Sequence, residues 1–395
     1  MISVAEARAI VLENAPTCAA ETLFLHTALG RTLREDIVSQ RDQPPFRASA
    51  MDGYALRAAD TPGVLKLIGE AGAGRALSRA LMQGECARIF TGAPLPDGAD
   101  AVLIQEDAAR DGELVTSPAV EANRHVRSAG VDFARGERLL GAGHVLDAAS
   151  IALAAATGRA SVSVARKPRV TVLSGGDELV APGQTPAADQ IYDSMSIGIA
   201  ALAEQWGAAA TAIGPLPDDA KAIADALQNA ISHSDLTVIV GGASVGDHDH
   251  ARPAVRTLGG SLFFEKVALR PGKPTWFARI GDRIVLGLPG NPASGFVCAR
   301  LFLRPLLDRM CGRDPAASTR LSQARLRSNL AENGSRETYL RAAITTDDTG
   351  QVWATAAQQQ DSSLLSVLTR APALILRPPH APALSSGAVV DVLAP

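Results

Sequence analysis

"VALRPGKPTWFARIGDRIVLGLPGNPASGF", residues 267–296, sets two proline–glycine knots on either side of an apolar, hairpin-like stretch. DRIVLGL (282–288) reads as a buried strand, and PGNPAS turns the chain into a helix that runs to about residue 309. A strand that ends in a glycine turn and a helix start is the repeating unit of a parallel α/β sheet. The same grammar recurs upstream. RVTVLS (169–174) runs into GGDELVAPG and a helix near 194–206. AAATAIG (208–214) is a second strand, followed by DDAKAIADALQNAI (218–231), a helix with acids in its first turn, where they suit the dipole. LTVIV (236–240) is a third strand and leads into GGASVGDHDH. These alternations predict a doubly wound, mainly parallel sheet over residues 167–312.

The flanks read differently. Residues 1–16 form an amphipathic helix with Val4, Ala7, Ile10 and Val11 on one face and Pro16 beyond its end. From 17 to 165, short β-like runs (GVLKLIG, ECARIF, DAVLIQED, GELVTS) are broken by Gly, Pro and Asp. DAASIALAAATG (147–158) is a short helix that Asp147 can cap and Gly158 can end. After GRDPAAS the chain is again β-like, in TYLRAAITT, GQVWATAA, PALILRP and AVVDVLA. At 395 residues the chain is too long for one core. With the family resemblance set out below, the expected division is an elongated linking domain (1–45 with 136–166), a small β-rich domain (46–135), the α/β domain (167–312) and a C-terminal β domain (313–395).

A formal charge of −3 gives no global basic field, so a nucleic-acid partner is not expected. The four cysteines have no C-x-x-C spacing and read as free thiols in a reducing compartment. Glu6 and Arg8 interrupt the first helix, which is therefore not a signal sequence, and no apolar run approaches the ~18 residues a membrane span needs. The expected setting is the cytoplasm, with no membrane partner.

Ligands of open α/β sheets bind beyond the carboxyl ends of the strands. Three such ends carry glycine-rich loops here. LSGGDEL offers Ser174, Gly175 and Gly176, then Asp177 and Glu178; VGGASVGDHDH offers Gly241, Gly242 and Ser244, then Asp247 and Asp249; GLPGNPAS leads into a helix that Asn291 or Ser294 could cap. Glycines let backbone N–H groups approach an anion, and a helix start adds partial positive charge. Carboxylates beside such a cradle make sense when Mg²⁺ lies between them and phosphate oxygens. His248 and His250 fit a metal cluster or plain solvated loop residues. Neither a Walker loop nor a G-x-G-x-x-G fingerprint is present. In RPGKP the prolines restrict the backbone on both sides of Lys273, and Arg270 could fork onto two oxygens; taken alone, the segment is equally a hairpin turn with solvated cations.

In family order, PPFRASAMDGYAL (44–56), ARIFTGAPLPDGADAVLIQED (87–107), VRSAGVDFARGERLL (126–140), PRVTVLSGGDELVAPG (168–183), IYDSMS (191–196), ALRPGKP (268–274) and LGLPGNPAS (286–294) resemble the MoeA family of molybdopterin molybdenumtransferases, related to the gephyrin E domain. The resemblance runs over essentially the whole chain. It implies ligation of molybdate to adenylylated molybdopterin with Mg²⁺-dependent release of AMP. It also implies a homodimer whose cleft lies between the α/β domain of one subunit and the small β domain of the other. By motif position, Thr91, Asp132, Glu178, Asp219 and Asp249 match residues needed for activity, with Glu178 and Asp249 as metal ligands. Arg270, Lys273, Pro274 and Ser294 match the molybdate site, and Arg341 and Ser362 match it more loosely. The molybdopterin adenylyltransferase and molybdoenzyme chaperones are implied as partners.

The chain departs from the family pattern in places. Arg47 stands where many members carry an acid, Gly175 replaces a threonine, GGASVG lacks a serine, and YDSMS lacks the usual asparagine. Two other readings remain at this level: an adenylyltransferase sharing the α/β fold, and a scaffold or degenerate paralogue. Intact Asp, Glu, Arg and Lys positions in the other motifs favour the transferase.

Overall fold

The computed structural model describes residues 1–241 and 250–395. TWFARI and RIVLGL close into an antiparallel hairpin, Trp276–Ile280 against Arg283–Leu288, with Ile280 opposite Arg283. Only Gly281 and Asp282 connect them, and Gly281 takes the positive φ of 56° that a two-residue hairpin favours. Arg283–Leu288 then pairs in parallel with Leu236–Val240, that strand with Arg169–Gly175, and the last with Ala209–Leu216. On the other edge Ser261–Phe264 pairs antiparallel to Trp276–Ile280. The sheet thus has six strands, where the alternation of strand and helix signals gave four. The two extra strands form an antiparallel edge, which no strand–helix alternation announces.

Helices cover both faces. Met195–Gln205 and the segment 292–310 bury one face together with Val4, Ala7 and Val11 of the N-terminal helix. Ala220–His233 and Ala251–Thr257 bury the other against Trp276, Ile239 and Val285. The helix read as continuous from PGNPAS is in three parts: Pro292–Cys298, a π-helical turn Ala299–Leu303, and Arg304–Met310. Pro305 lacks the N–H that an unbroken α-helix would need at that point. At the amino ends of the strands Asp235 accepts from Arg166 at 2.8 and 3.0 Å and from the Arg169 amide at 2.8 Å, fastening the end of the sheet opposite its loops.

After the α/β region the chain closes a five-stranded barrel in the order Glu337–Thr346, Val352–Ala356, Leu321–Leu326, Val389–Leu393, Ala373–Arg377, with the last strand pairing back to the first. The barrel takes a sixth strand from elsewhere: Leu269–Arg270 pairs in parallel with Glu337 and Thr338. Ahead of the α/β region, Ala101–Ile104, Gly53–Leu56, Glu85–Ile89, Gly63–Ala71, Leu114–Ser117 and Ala109–Asp111 form a further six-stranded sheet. A smaller core around Leu33, Ile37, Leu146 and Val164 holds the ribbon Ala20–Phe24 with Ser161–Ala165 and the helix Ala148–Ala156, which Asp147 caps through the Ser150 amide. All four cysteines are buried free thiols, and no described helix is long and apolar enough to cross a membrane.

Candidate active site

The strand after Arg169–Gly175 joins on one side of it and the next on the other, so the topological switch point lies between the ends of Arg169–Gly175 and Leu236–Val240. A cleft of about 640 Å³ opens there, lined by Ser174, Gly175, Gly176, Glu178, Gly241, Pro274 and Asn291 among others. Its charged walls are acidic: Glu178, Asp193 and Asp218. The Glu178 carboxylate lies over Gly176, so close that any side chain at 176 would collide with it. Asp193 is buried without an ion pair among the described residues and accepts from Ser174 Oγ at 2.5 Å, Ser196 Oγ at 2.6 Å and the Ser196 amide at 3.1 Å. Asp177 is not among the cleft's lining residues and accepts from the Asp218 amide at 3.0 Å. Asp219 caps the helix Ala220–His233 through the Ala222 amide at 2.8 Å. Gly242, Ser244 and Asp249 lie outside the described residues, as does His248.

A second cleft of similar size shares Pro274, Pro289 and Asn291 with the first and reaches the barrel. Here the sign is reversed, with Arg270, Lys273, Arg336, Arg341 and Arg377 facing only Glu332 and Asp361 among the described charged residues. RPGKP is no free turn. Gly272 adopts φ 122°, where a Cβ would strike Cys298 Sγ, and its carbonyl accepts from Thr275 Oγ1 at 2.8 Å. Lys273 rises from this braced loop, exposed and without an ion pair among the described residues. Arg341 is 1% exposed. Its Nη2 donates to the Asp361 carbonyl at 2.9 Å, and its Nε has no acceptor. Burial pulls its pKa down; Asp361 opposes that, and Arg270 adds to it. Ser294 is buried in the wall. Asn291 Nδ2 donates to Ser362 Oγ at 3.0 Å, and the Ala293 amide to the Ser362 carbonyl at 2.9 Å. That first-turn N–H therefore already has an acceptor.

Thr91 and Asp132 line neither cleft. Thr91 follows Glu85–Ile89 on the N-terminal sheet, and both its amide and its hydroxyl donate to Asp52 Oδ1, at 2.7 and 2.8 Å. These two bonds, the backbone one first, hold the Asp52 carboxyl below the usual range. The Asp132 amide donates to the Gln43 carbonyl at 3.0 Å. The unusual Arg47 donates to Asn123 Oδ1 at 2.9 Å. Sequence reading gave no role to Asp52, Asp193, Arg336 or Arg377. The first two stand inside motifs quoted above, whereas the two arginines carry no local signal. Among the described residues no group of three or more His, Cys, Asp and Glu side chains gathers to hold a metal.

Fold and clefts together define a multidomain α/β enzyme with a carboxylate-lined site at a sheet switch point and a cationic site against a C-terminal barrel. Residues 2–158 match the MoeA N-terminal region (domains I and II), 171–309 a probable molybdopterin-binding domain, and 323–394 the MoeA C-terminal region (domain IV). The chain belongs to the MoeA family. It is 34% identical over 386 residues to the molybdopterin molybdenumtransferase of Nostoc sp., covering 94% of this chain and 88% of that protein. It is 32% identical to the Haemophilus influenzae protein of the same name, covering 99% and 98%. The crystal structure of a molybdopterin biosynthesis MoeA protein from Pyrococcus horikoshii superposes with a TM-score of 0.86 at 30% identity, covering 99% of this chain and 98% of that one.

Proposed function

We propose that this chain inserts molybdate into adenylylated molybdopterin with release of AMP, as a step in molybdenum cofactor biosynthesis. One observation carries the reading: an acidic cleft and a cationic cleft are joined through Pro274, Pro289 and Asn291. A dianion such as molybdate suits the cationic side, where Arg270, Lys273 and Arg341 present N–H donors from a braced loop and a buried strand. The adenylylated pterin suits the glycine-rich sheet end, where Ser174, Gly175, Gly176 and Gly241 leave room for phosphate groups against the backbone. The oxygen donors there suit a hard cation, with Glu178 as the described residue that would hold Mg²⁺ and Asp249, outside the described residues, assigned to it by motif alone. Mg²⁺ would supply charge neutralisation at the phosphates. A length match through all three family regions supports this reading over a lone adenylyltransferase, and no observation favours a scaffold. The expected setting is the cytoplasm, with the adenylyltransferase and molybdoenzyme chaperones as partners.

The decisive experiment is synthesis of active cofactor from the purified protein, adenylylated molybdopterin, Mg²⁺ and molybdate. In that assay Glu178→Gln should slow AMP release by roughly 10- to 100-fold at limiting Mg²⁺, the range for disturbed metal-site residues. Parent-like turnover at limiting Mg²⁺ would remove Glu178 from the metal site.

Thr91 and Asp132 belong to the same reaction by motif, yet neither lines the clefts of its own chain. We therefore expect a homodimer in which one protomer's N-terminal sheet completes its partner's site. Light scattering should give about twice the 40.9 kDa chain mass. A monomer at micromolar concentration would contradict the shared site.

A further inference from the structure

Arg88 sits mid-strand in Glu85–Ile89, opposite Tyr54 of the neighbouring strand. Its guanidinium lies 5.2 Å from the Tyr54 ring centre and 5.0 Å from that of Phe90. Nη1 donates to the Gly53 carbonyl at 3.0 Å and Nη2 to Gln105 Oε1 at 2.5 Å. The side chain therefore touches three separate segments, MDGYA, IFTGAP and QED, at one end of the strands. Among the described residues it has no ion pair, so its role is not to neutralise a carboxylate by contact.

What this fork holds still is a polar pair. Asp52 immediately precedes Gly53, and Thr91 immediately follows Phe90; the two are joined by the bonds from the Thr91 amide and hydroxyl to Asp52 Oδ1. Asp52 Oδ2 has no hydrogen-bond partner among the described residues, and both residues are exposed. A guanidinium between two rings loses little freedom when its planar fork engages two acceptors, so the geometry is preset rather than induced. Moving either loop would separate the carboxylate from the hydroxyl.

We propose that Arg88 is a positioning residue that fixes Asp52 and Thr91 as one rigid edge presented to the substrate. This rests on the proposed function, because it assigns that edge to the molybdate-insertion site. The test uses full-length Arg88→Met, Arg88→Lys and a control, Val115→Ala, which opens the fully buried core of the same sheet. Two readouts separate the claims. Hydrogen exchange at the Thr91 amide should quicken about tenfold or more in Arg88→Met, and stay near parent in Val115→Ala, as local opening requires. In the cofactor-synthesis assay Arg88→Met should lower kcat by up to ~100-fold, the scale of a displaced catalytic group, while half-saturating molybdate stays within about twofold. Arg88→Lys, which keeps the charge between the rings, should recover part of kcat. Unchanged Thr91 exchange in Arg88→Met overturns the proposal whether or not the parent turns over. So does a fall in kcat that Val115→Ala reproduces at equal loss of Tm, or that lysine fails to relieve. Quickened Thr91 exchange in Arg88→Met, with a parent that makes no cofactor, would instead count against the function and leave the clamp standing.

Discussion

Replacing Lys273 with alanine should raise the molybdate concentration needed for half-maximal rate by roughly 10- to 150-fold. The figure follows from one charge-assisted hydrogen bond, ~1.5–3 kcal/mol, at about a decade per 1.4 kcal/mol. The bond is credible because the loop beneath it cannot move. The Gly272 carbonyl is held by Thr275, the Lys273 carbonyl accepts the Val267 amide at 3.0 Å, and the buried Cys298 sulfur fills the space under Gly272. Leu269–Arg270 is in addition stitched into the barrel edge, so the loop is anchored on both of the domains it joins. The Lys273 side chain itself is exposed and unpaired among the described residues, so its loss should change stability by no more than about 0.5 kcal/mol. Excess molybdate should therefore rescue the variant, and the affinity for adenylylated molybdopterin, assigned to the other cleft, should barely change. A variant that saturates with molybdate as the parent does would reduce RPGKP to a structural hinge.

That loop also shows where sequence reading stops. Proline and glycine announce restricted backbone locally, and the positive φ at Gly272 follows from them. Its pairing partner Glu337 lies far along the chain, and no local pattern specifies a register between two domains. The largely buried strands Arg169–Gly175 and Leu236–Val240 were legible because each is a mostly apolar run that meets glycine at its carboxyl end and alternates with helix signals. Ser261–Phe264 was not, since no strand–helix alternation marks an antiparallel edge, and of Trp276–Ile280 only the hairpin-like character of its stretch was legible. The same division holds in the site. Glu178 and Lys273 stand in motifs and line the clefts. Arg341 was placed there by resemblance, but its burial and unpaired Nε are set by tertiary packing that no local pattern announces. Asp219 has the composition of a functional acid and the geometry of a helix cap, and spacing alone does not separate the two.

Gly287→Ala should destabilise the α/β domain severely, by about 3 kcal/mol, the upper end of the usual overpacking range. Gly287 sits in Arg283–Leu288 directly opposite Trp276 and beside Ile239. A Cβ added there would enter the indole ring of Trp276. The ring has nowhere to go: Trp276 is 0% exposed and packed within the core that includes Leu173, Ile239 and Val285. A methyl group thus forces either the strand pair apart or the indole off its rotamer, in a sheet whose strand ends form the active cleft. At 2–4 °C per kcal/mol for a domain of this size, Tm should fall by roughly 6–12 °C. The same change would displace Leu288 and Pro289, which carry the chain into the wall shared by both clefts, so cofactor synthesis should drop even below the new Tm. The mechanism makes a sharper demand on the double variant. Trp276→Phe alone opens a cavity and destabilises, yet it replaces the indole that the new Cβ meets with a smaller ring, and removes an indole N–H that has no acceptor among the described residues. Gly287→Ala with Trp276→Phe should therefore be more stable than the sum of the single effects by about 1 kcal/mol or more, within the range seen for residues in contact. Strict additivity in denaturant unfolding would show that the glycine is not there to make room for the tryptophan.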